Sequence, residues 1–379
     1  MIDYEILRLL WWAVLGVLLI GIAVMDGFDY GAAILLPFVG KTDAERRLVI
    51  NTVGPVWEGN QVWLILGAGA IFAAWPQLYA VAFSGFYLAM LLLLASLILR
   101  PVGFKFRGKV ESAGWRTVWD LALFVGGLVP ALVYGVAFGN ALQGVPFRID
   151  DTMRMFYEGT VWGLFNPFGL LAGLLSVAMI TLHGGTWLAC KTTGPVKARA
   201  AKAAVGAGIV AVVLFAIGGF WVGHIDFYAL SGTIDPNGPS NPLAKHVVMA
   251  AGGLLTNYGR FPLAMLAPVV GFAGLIGALL LARGGRRPKL AFVLSSLGIA
   301  GIIATAGISA FPFLLPSSIA PGASMMVWDS SSSFITLAVM TGVTVVFLPI
   351  ILIYTGWVYR VLRGPLSVEE IGKDSKAFY

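Results

Sequence analysis

The chain has 379 residues, of which 59% are hydrophobic and only 11% charged, and its mean hydropathy is +0.88. A soluble domain carries about a quarter charged residues and must cover itself with polar groups, so a soluble globule is excluded and lipid is the solvent that fits. The net charge of +7 comes from short basic clusters between apolar runs, the pattern of topology signals rather than of a nucleic-acid face. The one cysteine, Cys190, rules out an intramolecular disulfide and a Cys-based metal cluster.

The start, Met1-Ile2-Asp3-Tyr4-Glu5 with Arg8, lacks the positive region and small-residue cleavage site of a signal peptide. The first apolar run is therefore expected to be a retained span. A span needs roughly 20 apolar residues. About nine segments qualify, near 9–38, 51–74, 78–99, 118–140, 161–187, 203–223, 259–282, 290–314 and 334–359. The expected fold class is an all-α polytopic membrane protein built of helix bundles, with residues 1–379 forming a single transmembrane domain.

Lys and Arg set the orientation. Alternate loops hold Lys41, Arg46 and Arg47; Arg100, Lys105, Arg107, Lys109 and Arg116; Lys191, Lys197, Arg199 and Lys202; Arg283, Arg286, Arg287 and Lys289; and, in the tail, Arg360, Arg363, Lys373 and Lys376. The other side holds only Arg8, Arg148, Arg154, Lys245 and Arg260. This predicts the N-terminus outside and the C-terminus in the cytoplasm, which requires an odd number of spans. The 48 glycines suit close helix packing, and most of the twelve tryptophans are expected at membrane boundaries.

Ionisable groups inside spans are expensive and by default functional. Asp26 and Asp29 share one face of the first span. They either extend a polar path or bond across helices, with Tyr30 or with a partner chain. Glu58 lies on the inner half of the second span, between Pro55 and Gly59 and beside Asn60 and Gln61. It reads either as a buried carboxyl that passes protons or as a neutral packing group. Asp120, beside Trp119, reads as an ordinary interfacial residue. Of three histidines, His224 and His246 fall in an external loop and only His183 in a span. A bis-histidine haem site needs two axial ligands, so this chain alone is not expected to hold a haem, and His183 reads as satisfied or interfacial. A secondary transporter is the competing class, but the polar break at Pro55–Gln61 has no counterpart in the second half.

Several segments carry a specific resemblance. They include Asp3-Tyr4-Glu5 with Trp11-Trp12, Met25-Asp26-Gly27-Phe28-Asp29-Tyr30-Gly31 and, most distinctive, Trp57-Glu58-Gly59-Asn60-Gln61-Val62-Trp63-Leu64. Arg100-Pro101-Val102-Gly103-Phe104, Asn166-Pro167-Phe168-Gly169 and Phe311-Pro312-Phe313 continue it. Over essentially its whole length the chain resembles subunit II of cytochrome bd-type ubiquinol oxidases.

The resemblance implies a multi-pass protein of the bacterial inner (cytoplasmic) membrane, paired with a larger subunit I that holds the b and d haems. That complex oxidises ubiquinol, reduces oxygen to water with protons taken from inside, and so builds a proton gradient in aerobic respiration. It places the chemistry in subunit I, with no catalytic residue and no metal ligand in this chain. It allows a ubiquinone bound here as a structural lipid, and a small accessory subunit. Glu58 stands where the family has an acid, often Asp, and is with Asp26 and Asp29 the candidate proton path. Trp63 stands near the oxygen entrance at the subunit interface; interhelical packing is its other reading.

Overall fold

The computed structural model describes residues 3–373; Met1, Ile2 and the tail base Lys376 lie outside them. The long helices are α1 (Tyr4–Val39), α2 (Asp43–Val53), α3 (Trp57–Ala74), α4 (Pro76–Gly85), α5 (Tyr87–Phe106) and α6 (Ala113–Gln143). They continue with α7 (Pro167–Lys191), α8 (Gly194–Val222), α9 (Leu266–Gly284), α10 (Pro288–Ala310) and α11 (Phe334–Val361). A short α12 (Val368–Lys373) packs on α2.

Among the described residues, eight helices are long and apolar enough to cross a membrane: α1 and α5 to α11. The expected second span appears as α3, shorter than expected and with a polar first turn. The expected third span is interrupted at Phe86, where φ −90° and ψ 21° separate α4 from α5. Residues 43–53 were expected as loop and end of a span, and form a helix because Thr42 and Glu45 make a capping box. Burial works against the charge on Glu45, but Arg199 and the backbone N–H groups of Lys41 and Thr42 outweigh it and hold its pKa below the ordinary value.

Side-chain bonds sort the connecting segments into two ends. At one end Arg199 pairs with Glu45 at 2.6 Å, Arg116 with Asp43 at 2.9 Å, and the Leu366 N–H bonds the Lys191 carbonyl at 2.8 Å. At the other, the Arg8 guanidinium is wholly buried and donates to Ser331 Oγ at 2.8 Å and to the carbonyls of Pro236 and Gly238. Lys245 and Asp329 form a buried pair there at 2.6 Å. Burial lowers the Lys245 pKa, with Asp329 opposing. The Ala74 carbonyl accepts from Ser332 N–H at that same end, so α3 runs from one end to the other.

Three antiparallel hairpins lie in the segments of the second end and are absent from the sequence expectation. Strands β1 (Phe147–Ile149) and β2 (Met155–Tyr157) form one, β3 (Phe227–Ser231) and β4 (His246–Ala250) the next, β5 (Phe313–Leu315) and β6 (Met325–Met326) the last.

The core centres on α7. Two thirds of its apolar stretch is buried, against 6% for α11 at the edge. Glycines let α7 touch its neighbours by backbone: a Cβ on Gly31 would meet Gly184 Cα at 2.8 Å, and one on Gly135 would meet Gly173 Cα at 2.6 Å. Without hydrophobic drive between helices in lipid, such close van der Waals contact is what holds them.

Candidate functional site

The first helix is not regular. Residues Ile22–Asp26 make a π-turn, in which the Gly27 N–H reaches back to the Ile22 carbonyl. At and after this turn, Asp26 and Asp29 both point inward and are fully buried.

Asp26 Oδ1 accepts from Arg100 Nη2 at 2.7 Å, and neither side chain is exposed at all. The Arg100 guanidinium also lies 4.2 Å over the Tyr30 ring. Asp29 Oδ2 accepts from Asn60 Nδ2 at 2.9 Å, and Asn60 Oδ1 accepts from the Tyr359 hydroxyl at 2.7 Å. One polar cluster thus joins α1, α3, α5 and α11. Inside it, Asp26 Oδ2, Asp29 Oδ1 and Arg100 Nε and Nη1 have no hydrogen-bond partner among the described residues. Buried polar atoms are paired as a rule, with protein or with ordered water.

This arrangement bonds Asp26 and Asp29 across helices within this chain, to Arg100 and Asn60. It also corrects the placement of Arg100, which was counted among loop bases. Arg100 sits inside α5, and its charge answers Asp26 rather than a membrane surface. Arg8 is likewise a buried group and not a loop base.

Glu58 is exposed, not buried as the sequence suggested. Side chains two apart on a helix lie about 200° apart, so when Asn60 turns inward to Asp29, Glu58 turns out. It makes no salt bridge among the described residues. Trp63 is 8% exposed and its ring covers Gly21 of α1, where a Cβ would meet Cζ3 at 2.7 Å.

Asp120 is also corrected. It is buried and accepts from Arg107 Nε at 2.5 Å and from Arg46 Nη1 at 2.8 Å. Arg107 further bonds Asp43 at 2.9 Å. Burial opposes the charge on Arg107, but Asp120 and Asp43 outweigh it and raise its pKa. This network ties α2 to the α5–α6 turn.

The three histidines stand in different surroundings. His183 is fully buried with both ring nitrogens engaged, Nδ1 with Ser295 Oγ at 2.7 Å and Nε2 with the Val24 carbonyl at 2.9 Å. His224 and His246 are exposed at the second end. Among the described residues no three His, Cys, Asp or Glu side chains gather as metal ligands.

Sequence reasoning missed Arg100, Asn60 and Tyr359. The signal available for Arg100 was charge balance: two acids in a span call for a cation, and Arg100 directly follows an apolar run.

Residues 7–362 match the family described as cytochrome bd terminal oxidase subunit II. The chain is 50% identical to cytochrome bd-I ubiquinol oxidase subunit 2 of Escherichia coli (strain K12), over the full length of both. It is 32% identical to cytochrome bd ubiquinol oxidase subunit 2 of Bacillus subtilis (strain 168), covering 95% of this chain and 97% of that one. A chain in the structure of bd oxidase from Geobacillus thermodenitrificans has the same fold, with TM-score 0.70 at 15% identity over 94% of this chain and 98% of that one. The chain belongs to the cytochrome bd terminal oxidase subunit II family.

Proposed function

We propose that this chain is the haem-free second subunit of an electrogenic quinol oxidase in a bacterial inner membrane, and that it supplies a proton route to a haem-bearing subunit I. In that complex the partner's haems carry electrons from ubiquinol to oxygen. This chain's own residues bind, hold and move protons beside them.

The observation that carries this reading is the buried, hydrogen-bonded cluster of Asp26, Arg100, Asp29, Asn60 and Tyr359 across four helices. Intramembrane carboxylates that face protein and water are the usual material of proton relays. Glu58 supports it from the other side of α3. An exposed carboxyl in the first turn of a span is poorly placed against lipid, and well placed against a partner subunit. Glu58 would take protons across the subunit boundary, with Asp29 and Asp26 as the internal polar reserve behind Asn60. Trp63, buried against α1 on the same helix, would form an apolar wall for oxygen access.

The loop charges support nine crossings with the N-terminus outside, α3 being the ninth beside the eight apolar helices. That orientation puts Glu58 in the half nearer the cytoplasm, the side that supplies protons. The chemistry of the haems would lie wholly in subunit I, since His183 has no free nitrogen to offer. A structural ubiquinone and a small accessory subunit would sit against the chain's outer, lipid-facing surface.

Glu58→Gln tests the route. Quinol oxidase turnover of the complex should fall at least about tenfold, the scale of losing a positioned proton-transfer group, with haem content unchanged. Wild-type turnover in that variant would refute it.

A further inference from the structure

The π-turn in α1 needs a cause. Such turns are rare, make poorer hydrogen bonds than an α-helix, and gather at functional sites. One added residue rotates everything beyond it by about 100°, so the turn decides which way Asp26 points relative to the first half of the helix. Something must hold it against relaxation to a regular helix.

His183 on α7 meets it. Its Nε2 lies 2.9 Å from the Val24 carbonyl, in the middle of the turn. A carbonyl only accepts, so Nε2 carries the proton. Nδ1 is then the accepting nitrogen, 2.7 Å from Ser295 Oγ, whose one hydroxyl proton is shared between it and the Phe292 carbonyl at 2.8 Å, and Ser295 Oγ is itself 3.0 Å from Thr186 Oγ1. The ring stacks on Phe292 at 4.6 Å between centroids and 11° between planes. Burial, two hydrogen bonds and a stacked ring leave the imidazole one orientation. Two residues beyond Val24, Asp26 ends the turn and receives Arg100.

We infer that His183 is a positioning residue: it fixes the π-turn of α1 and so sets the Asp26 carboxylate against Arg100. This rests on the proton reading of Asp26 given above.

The test is a mutant cycle on the complete oxidase in native membranes, with turnover and haem content read together. Asp26→Asn should slow turnover. His183→Ala should slow it about fivefold or more with haem retained, and the double variant should be within about twofold of the slower single, because residues acting as a unit are not additive. His183→Gln, whose amide N–H can still reach the Val24 carbonyl, should recover to within about twofold of wild type. Should His183→Ala not assemble, Ser295→Ala takes its place in the cycle under the same criteria. Wild-type turnover in His183→Ala, no recovery in His183→Gln, or losses that multiply in the double variant would overturn the inference. Wild-type turnover in Asp26→Asn would remove the proton reading of Asp26 and this inference with it; a slow Asp26→Asn with multiplying losses removes the inference alone.

Discussion

Arg100→Ala should be among the most damaging single changes in this chain, costing about 3–5 kcal/mol, because it leaves the Asp26 carboxyl in a fully buried site without its partner. The change also strips the cation from the face of Tyr30. The expected result is a complex that melts well below wild type in detergent, or accumulates poorly. Removing both charges at once with Asp26→Leu and Arg100→Leu should recover much of the stability, since replacing a whole buried pair by apolar groups is often close to neutral. Recovered stability without recovered turnover is the expected signature of a pair kept for function. An Arg100→Ala complex that melts like wild type would show that water already screens Asp26.

Gly184→Leu should be comparably destructive for a different reason. A Cβ at Gly184 lands on the Gly31 backbone carbon and 2.6 Å from Ala32 N, so there is no side chain to move aside. The α1 and α7 backbones would have to separate, and the expected cost is about 3 kcal/mol or more, at the upper end for overpacking. The same separation would pull His183 from Val24, so turnover should fall with stability. Gly206→Ala is the control. No atom lies within 4 Å of a Cβ there, and an exposed helical glycine gains up to about 1 kcal/mol on becoming alanine. Both are read by thermal unfolding of the solubilised complex. A Gly184→Leu complex as stable as Gly206→Ala would mean that α1 and α7 do not meet as described.

The helical architecture was legible because lipid imposes a length and a composition on each span, and α1, α6, α8 and α11 meet both. What escaped is what hydropathy does not encode. Thr42-Asp43-Ala44-Glu45 is a capping signal in plain view, yet the spans expected from hydropathy leave residues 43–50 as loop and make 51–53 the start of the second span. The β1–β2, β3–β4 and β5–β6 hairpins are two to five residues per strand, too short for a periodic pattern to stand out.

For the site, Asp26, Asp29 and His183 stand out in the sequence as ionisable groups within apolar runs, and all three are buried and hydrogen-bonded. Their partners were not found. Arg100 lies 74 residues from Asp26 and Tyr359 lies 299 from Asn60, and no local pattern links such positions. Glu58 and Asn60 were read together from one polar stretch. Helical phase separates them, and that phase begins at Trp57, a boundary the sequence alone put six residues earlier. The π-turn has no composition signal at all; it shows in the Gly27 N–H reaching back to the Ile22 carbonyl.

The central claim is that this chain works as one half of a haem-bearing oxidase while leaving the haems to its partner. Its most direct test is affinity purification of the full chain, tagged, from its native membranes, followed by a reduced-minus-oxidised visible spectrum and a subunit count. The account predicts b-type and d-type haem bands that travel with a second, larger polypeptide and vanish when that polypeptide is stripped away. A preparation with no haem bands, or haem that stays with this chain alone, would contradict it.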